Sequence, residues 1–302
     1  MSIVVVGSVA YDTVITPYGR AEETLGGAAT FFSVAASYFC PVQVVGVVGE
    51  DFSEADVDVF RERDIDIQGI ARRPGRSFRW GGEYSLNLNE RKTLFTELNV
   101  FEDFDPELPP SYREARHVFL ANIAPQLQLS VLDQVEQPRL VALDTMNYWI
   151  EGSRDALVEV LGRIDILVIN DEEARQLADE YNLVRAAETI LAMGPSVIVI
   201  KRGEHGATAF LGDEVFTIPG YPLRELADPT GAGDSFAGGF MGHLVRSGEH
   251  GPEGLRRAIV AGSVMASFCV EEFSLGGIRD LDEDRIATRY RAFQALTRFG
   301  DL

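Results

Sequence analysis

Short unbroken apolar runs recur along this chain. Ile3–Val6, Gln43–Val48, His117–Leu120, Leu140–Leu143, Ile164–Ile169, Val197–Ile200, Ala207–Leu211 and Glu214–Ile218 have the length of strands. Several, such as Ile166-Leu167-Val168-Ile169, are apolar at every position. A strand without polar alternation has both faces covered, as in a parallel sheet. Between these runs, apolar residues return at helical spacing over Ala28–Phe39, Glu54–Arg63, Ser153–Leu161, Glu172–Glu180, Val184–Met193, Asp234–Arg246, Leu255–Glu271 and Glu283–Phe299. The alternation predicts an α/β fold: a doubly wound, mainly parallel sheet flanked by helices, in one domain over 1–302. Ligands of such sheets sit beyond the carboxyl ends of the strands. Chemistry is therefore sought just after each strand.

One region breaks the rhythm. Arg72 to Phe101 shows little helical periodicity, and Phe78–Leu88 reads as strand, turn or bulge, strand. Tyr11–Thr16 is also extended. Together they predict a small β lid standing off the main sheet, built from insertions at about 11–18 and 72–101. A second hairpin within the core is the competing structural reading.

Composition narrows the class. No stretch approaches the ~18–20 apolar residues of a membrane span, and Met1–Gly7 reads as a buried first strand rather than a leader. The two cysteines, Cys40 and Cys269, lie far apart, and the four histidines show no metal spacing. A reducing cytoplasm is the expectation. The formal net charge of −20 argues against nucleic acid and against anionic membrane surfaces as partners. Only Lys92 and Lys201 are lysines.

The informative segment runs from Asp228 to Phe240, Asp-Pro-Thr-Gly-Ala-Gly-Asp-Ser-Phe-Ala-Gly-Gly-Phe. Phe236, Phe240 and Leu244 mark one apolar helix face, so a helix is expected to begin at or just before Asp234. Gly231-Ala232-Gly233 then approaches its N-terminus with bare backbone N–H groups, which with the helix dipole make an anion site. The dipole also favours an ionised Asp234 at neutral pH. Such a carboxylate beside bound phosphate can take a proton from an attacking hydroxyl. Gly238, Gly239 and Gly242 inside the helix each cost ~1 kcal/mol against alanine, which implies close approach by another element. A capped helix with a Gly-rich turn and no ligand is the bland alternative.

This segment resembles the C-terminal signature of the ribokinase-like, or PfkB-type, carbohydrate kinases. The resemblance extends over nearly the whole chain and implies ATP as donor, Mg²⁺, and a small hydroxylated acceptor: a sugar, nucleoside or polyol. It implies that Asp234 is the base and that Gly231, Ala232 and Gly233 form the anion hole. It places Asp12 on acceptor hydroxyls, with Gly26 and Gly27 before the first helix beside it, and Arg79 and Asn122 on the same side. Asn170 and Glu173 match an Asn-x-x-Glu element associated with Mg²⁺ and phosphate, with Glu173 reaching the metal through water. Lys201, Gly203, Gly206, Thr230 and Gly262 fall on the nucleotide side. Asp228 lies near a K⁺ site in some members. Several members also pair their lids about a two-fold axis, and Trp80, Tyr84, Leu86 and Phe95 supply apolar surface for such a homodimer.

Two positions depart from the family. Phe31 stands where the family often has an asparagine on the sugar; a ring there stacks on the acceptor or joins the core. Lys201 stands where threonine is frequent, as a point charge for phosphate or a solvent-facing residue. Other classes fit less well. A dinucleotide-binding G-x-G-x-x-G is missing after the first strand, and no G-x-x-x-x-G-K-[S/T] occurs. Gly233–Ala237 nearly matches G-x-S-x-G, but Leu223–Pro229 is a poor strand to support a nucleophile elbow. A non-catalytic ligand sensor on the same scaffold is the remaining alternative.

Overall fold

In the computed structural model, which describes residues 1–212, 214–298 and 300, thirteen strands follow in chain order. They are β1 (Ile3–Val6), β2 (Ala10–Thr16), β3 (Gly19–Gly26), β4 (Val42–Val48), β5 (Asp66–Arg72), β6 (Phe78–Tyr84), β7 (Arg91–Glu97), β8 (His117–Leu120), β9 (Leu140–Leu143), β10 (Ile166–Asn170), β11 (Val197–Lys201), β12 (Ala207–Leu211) and β13 (Glu214–Ile218). Nine form one sheet in the order β13-β12-β11-β10-β9-β8-β1-β4-β5, and four form a second, β3-β2-β6-β7. From β5 to β11 the large sheet is parallel; β12 and β13 run antiparallel at one edge.

The unbroken apolar runs are explained by a core on each face of this sheet. Ile3, Val5, Phe119, Ile166 and Val168 point into one core. Val4, Val6, Val118, Leu120, Leu167 and Ile169 point into the other. Connections run from β1 through β4 to β5 on one side, and from β8 to β11 on the other. The order therefore reverses between β1 and β8, where a doubly wound sheet opens a crevice.

Three helices on one face fix the geometry of the site: Ala28–Ser37, Ala232–Ser247 and Pro252–Cys269. The middle one is buried between the other two, and its glycines make this possible. A methyl on Gly238 would lie 2.3 Å from the Phe32 carbonyl oxygen, and one on Gly242 would lie 3.0 Å from that of Ala36. On the other side, a methyl on Gly239 would lie 2.6 Å from Met265 Cγ. The close approach expected from these glycines is present on both flanks. Gly262, expected on the nucleotide side, belongs to the same contact. It is buried, with a methyl there 2.7 Å from the Phe236 carbonyl oxygen. It allows two helices to touch and offers no surface to a nucleotide.

The lid is the four-stranded sheet, and its limits differ from those expected. Its first insertion continues through β3 to Gly26, and its second starts at β6, because β5 pairs parallel with β4 as the edge of the large sheet. β2 and β6 pair parallel, joining two antiparallel pairs. The register Asp12↔Trp80 and Tyr84↔Arg91 puts Asp12, Trp80, Tyr84 and Arg91 on one face. Trp80 and Tyr84 thus look inward, not toward a partner as expected. Phe299, the expected end of the last helix, lies outside the described residues; the helix spans Glu283–Thr297. No described helix is long and apolar enough to cross a membrane.

Gly238→Ala should lower stability by about 2 kcal/mol, since overpacking costs about 1–3 kcal/mol and outweighs the ~1 kcal/mol gain in helix propensity. Gly152→Ala, where a methyl meets nothing within 4 Å, should stay within about 0.5 kcal/mol of the parent. Urea unfolding midpoints measure both. Equal midpoints for the two variants would show that the helices are not in van der Waals contact at Gly238.

Candidate active site

The helix Ala232–Ser247 starts two residues before Asp234, with Gly231 as N-cap at φ 76°. That left-handed turn is also a tight fit: a methyl on Gly231 would lie 2.3 Å from the Phe31 ring. Phe31 is therefore the floor beneath the loop, 1% exposed, and joins the core instead of presenting a ring to an acceptor. No side chain caps the helix. The Ala232 N–H turns back to the Pro229 carbonyl oxygen at 3.2 Å, whereas Gly231, Gly233 and Asp234 find no backbone acceptor among the described residues. Of the expected triplet, Gly231 and Gly233 keep free donors, while the Asp234 N–H is turned to its own carboxylate.

Facing these donors are the carboxyl ends of three adjacent strands. Asp144 directly follows β9, β10 ends at Asn170 and β11 at Lys201, with Asn170 and Lys201 paired in register. Lys201 Nζ lies 3.1 Å from Asp144 Oδ2, and a methyl on Gly233 would lie 2.9 Å from the same nitrogen. Lys201 thus points into the site, not to solvent. Asn170 and Glu173 form a capping box: Asn170 Oδ1 accepts from the Glu173 N–H, and Glu173 Oε2 accepts from the Asn170 N–H, each at 2.8 Å. The cap uses one carboxylate oxygen of Glu173; among the described residues the other accepts no protein hydrogen bond.

The acceptor-side residues divide. Asp12 is 7% exposed and lies over Gly26, where a methyl would be 2.1 Å from Asp12 Oδ2. Gly27 takes φ 92° against the Ser8 carbonyl. These three meet as expected. Asn122, beyond β8, accepts from Trp149 Nε1 at 2.9 Å. Arg79 does not join them. Its side chain leaves the other face of the lid, where Nε lies 2.8 Å from Glu23 and Nη2 lies 2.8 Å from Asp51. It pins the lid to the body.

The remaining positions hold loops in shape. Gly203 takes φ 53°, with a methyl position 3.1 Å from Asn89 Oδ1 of the lid tip. Gly206 has its Cα against the backbone of Ile218 and Pro219, within the sheet edge. Thr230 Oγ1 meets Tyr84 OH at 3.1 Å. Asp228 is 1% exposed. One of its oxygens accepts from the Thr230 N–H and the other from the Ser274 N–H, so the carboxylate ties two loops together.

Residues 1–279 match the pfkB family carbohydrate kinases. The chain belongs to that family. It is 29% identical to a cytidine kinase of Thermococcus kodakarensis, over 80% of this chain and 87% of that protein. It is 26% identical to a nucleoside kinase of Methanothermobacter thermautotrophicus, over 89% of each. A putative ribokinase II of E. coli, solved with ATP and Mg²⁺, shares the fold with a TM-score of 0.78 at 19% identity, over 96% and 99% of the two chains. The reaction of this pfkB-family enzyme is ATP-dependent phosphotransfer to a small hydroxylated metabolite.

Electrostatics tune this kinase's carboxyls. Burial lifts Asp234 to about 7; the charge of Asp144 adds to this, while Lys201 and Arg91 oppose it. The dipole's pull toward an ionised Asp234 is thus opposed by desolvation, which raises its carboxyl. Burial also lifts Asp12 to about 7, opposed by the Gly27 N–H and reinforced by Asp228 and Asp234. Glu173 moves upward, through burial and then Asp144. Lys201 is pulled down by burial, but Asp144, Glu173 and Asp234 outweigh this and hold it above its usual value. Sequence reasoning missed Asp144, whose one signal was an acid directly after a buried strand, and Arg91, hidden in a polar lid strand.

Unfolded carboxyls lose their protons near pH 4, but folded Asp12 and Asp234 lose theirs near 7. Between these values the folded state holds more protons, so stability falls as pH rises. Asp234→Asn should match the parent's thermal midpoint below about pH 4, exceed it increasingly from there to about pH 7, and keep the full excess at pH 8. A midpoint difference independent of pH would mean that the Asp234 carboxyl is not raised.

Proposed function

We propose that the enzyme phosphorylates a hydroxyl of a ribonucleoside, with Asp234 as general base. The observation that carries this reading is the meeting of Asp234, the uncommitted N–H groups of Gly231 and Gly233, and Lys201 at the strand ends, opposite Asp12. Two relatives bear the names cytidine kinase and nucleoside kinase. Trp80, paired in register with Asp12 on the inner face of the lid, offers a flat apolar surface beside the carboxylate that would accept from a sugar diol. A free sugar or an inositol is the second reading, favoured by the same Asp12 and Gly26–Gly27 geometry.

The acceptor lies between Asp12 and the lid, and ATP lies along the ends of β10 and β11 near Asn170, Lys201 and Gly203. Asp234 takes the acceptor's hydroxyl proton, and the oxygen attacks the γ-phosphorus in line. The bond to the β–γ bridging oxygen breaks, and its electron pair leaves with ADP. Growing charge on the phosphoryl oxygens meets the Gly231 and Gly233 N–H groups and Lys201. A base poised near 7 is matched to neutral conditions. Glu173, with one oxygen free of protein donors, fits a hydrated Mg²⁺; the ion would neutralise phosphate charge. Asp228 ties the loops at Thr230 and Ser274 together, and no step depends on K⁺ there.

ADP release with Mg²⁺, measured across ribonucleosides, sugars, sugar acids and inositols, should single out a ribonucleoside. Asp234→Asn should lower its kcat by about a hundred- to ten-thousandfold with the fold intact, and parental kcat/KM should rise with pH up to about 7. Stimulation by a free sugar alone would replace the acceptor assignment, and near-normal kcat in the variant would remove Asp234 from the base role. We also propose that two copies pair through the lid's outer surface. Leu94, Phe95 and Leu98 are 37–41% exposed there, and β7 is an open edge. A monomer by light scattering at micromolar concentration would end that proposal.

A further inference from the structure

Between the helices Pro252–Cys269 and Gly276–Arg279 the chain makes a turn that the mechanism above does not use. Near its end Ser274 takes φ 54°. Glycine adopts that left-handed conformation readily, whereas a serine there is strained. In this conformation its two donors reach two different parts of the protein. Its hydroxyl donates to the Leu25 carbonyl oxygen at 2.6 Å, and its N–H donates to Asp228 Oδ2 at 3.3 Å. The neighbouring Phe273 ring also meets the lid, since a methyl on Gly19 would lie 3.1 Å from it.

Each contact leads to one half of the site. Leu25 pairs in register with Tyr11 of β2, one residue before Asp12. It also precedes Gly26, over which the Asp12 carboxylate lies. The Leu25 carbonyl is thus part of the acceptor side. In the other direction, Asp228 Oδ1 accepts from the Thr230 N–H at 2.8 Å, and Gly231 with its free N–H comes next. Three hydrogen bonds therefore run without a break from Leu25 through Ser274 and Asp228 to Thr230. Asp228 transmits along this chain because it has so few donors. It is buried and forms no ion pair among the described residues. Burial pushes its carboxyl up, and the bonds from Thr230 and Ser274 oppose this. A buried carboxylate that loses one such donor is left short of hydrogen bonds, which is costly. Moving Ser274 therefore moves Asp228, and with it the loop that Thr230 begins.

We propose that Ser274 is a positioning residue that couples the two substrates. An acceptor seated on Asp12 and Gly26–Gly27 fixes Leu25. Through Ser274 and Asp228 it then holds the Gly231 and Gly233 N–H groups in the shape that receives the γ-phosphoryl group. This rests on the kinase reading above. Two arrangements of one element are involved. With Leu25 in place, Asp228 is shared between Ser274 and Thr230. With Leu25 displaced, Ser274 withdraws and Asp228 turns to Thr230 alone. Each substrate favours the first arrangement, so each tightens the other by the same factor. The competing role is a structural strap, whose loss would lower stability and leave that factor unchanged.

Calorimetric titration measures the factor. The probe is β,γ-imido-ATP·Mg²⁺, whose γ-phosphoryl group is not transferred. It is titrated with and without a saturating amount of the acceptor that gives the greatest ADP release. In the parent the acceptor should tighten the probe about fivefold or more. Ser274→Gly keeps the left-handed turn and the N–H and removes the hydroxyl. It should bind the probe alone within about twofold of the parent, and the acceptor should then tighten the probe by less than about twofold. If Ser274→Gly retains the parental factor, Ser274 is a strap and the proposal is wrong. If Ser274→Gly does not fold, Ser274→Ala, which also lacks the hydroxyl, decides by the same criterion. If the acceptor fails to tighten the probe in the parent, there is no coupling for Ser274 to carry and the proposal fails, while the kinase reading stands on ADP release. A parent that releases no ADP with any acceptor would overturn the kinase reading and this inference with it.

Discussion

Lys201 is the charge around which the site is balanced. Its ammonium, 3.1 Å from Asp144, also feels Glu173 and Asp234. Desolvating such ions costs several kcal/mol each, and apolar replacements of similar volume are often as stable. Packing alone therefore gives no reason for this cluster, whereas phosphoryl transfer does. The same lysine explains why Asp234 stops near neutrality. Burial and Asp144 drive its carboxyl up, and Lys201 is the first influence to restrain it. A base far above 7 would be protonated in use, and one near 4 would be a weak proton acceptor.

The lysine is useful only because the helix of Asp234 comes to it. That helix lies between two others with backbone almost touching side chain on both flanks, a spacing that glycine alone permits at 238 and 239. Phe31 then lies under Gly231 and forces the left-handed turn that leaves the first N–H groups of the helix pointing to the strand ends. Helix packing, loop conformation and anion site are thus one arrangement. Gly262 belongs to it for the same reason, as a packing residue of the neighbouring helix.

What the sequence made legible follows burial. Strands covered on both faces, such as β1, β8 and β11, appear as unbroken apolar runs, and the helices between them as periodic ones. β3 and β7 were illegible because Arg-Ala-Glu-Glu-Thr and Arg-Lys-Thr carry no apolar alternation; both are exposed edges of the lid. β5 was missed as the edge of the large sheet for a related reason. The glycine signature located Asp234 and its loop, because backbone geometry is written in glycines. The upward pull on the Asp234 carboxyl was not legible, since it depends on burial and on neighbours such as Asp144 that are 90 residues away in sequence and adjacent only in the fold. Arg79 and Phe31 were misplaced for the same reason. A strand's face and a helix's floor are set by pairing and packing, which residue type does not reveal.

The lid is attached unequally at its two ends, and this bears on how it works. At its base, Arg79 is nearly buried between Glu23 and Asp51, and Asp51 also accepts from the Ser77 N–H and hydroxyl. Removing the better-covered partner, Asp51, would leave a buried guanidinium short of charge, so the base resists displacement. At its tip, the polar tie to the anion loop is the Tyr84–Thr230 hydrogen bond, worth about 1 kcal/mol net. Opening therefore breaks the tip and spares the base, and the inner face swings with Trp80, Tyr84 and Arg91 as a unit. Thr16 Oγ1 of β2 adds a second bond, donated to the Ala227 carbonyl oxygen at 2.8 Å, and two such bonds still hold a closed position only weakly. Closure must then draw its energy from what is bound beneath the lid, and water is excluded only when donor and acceptor are both in place.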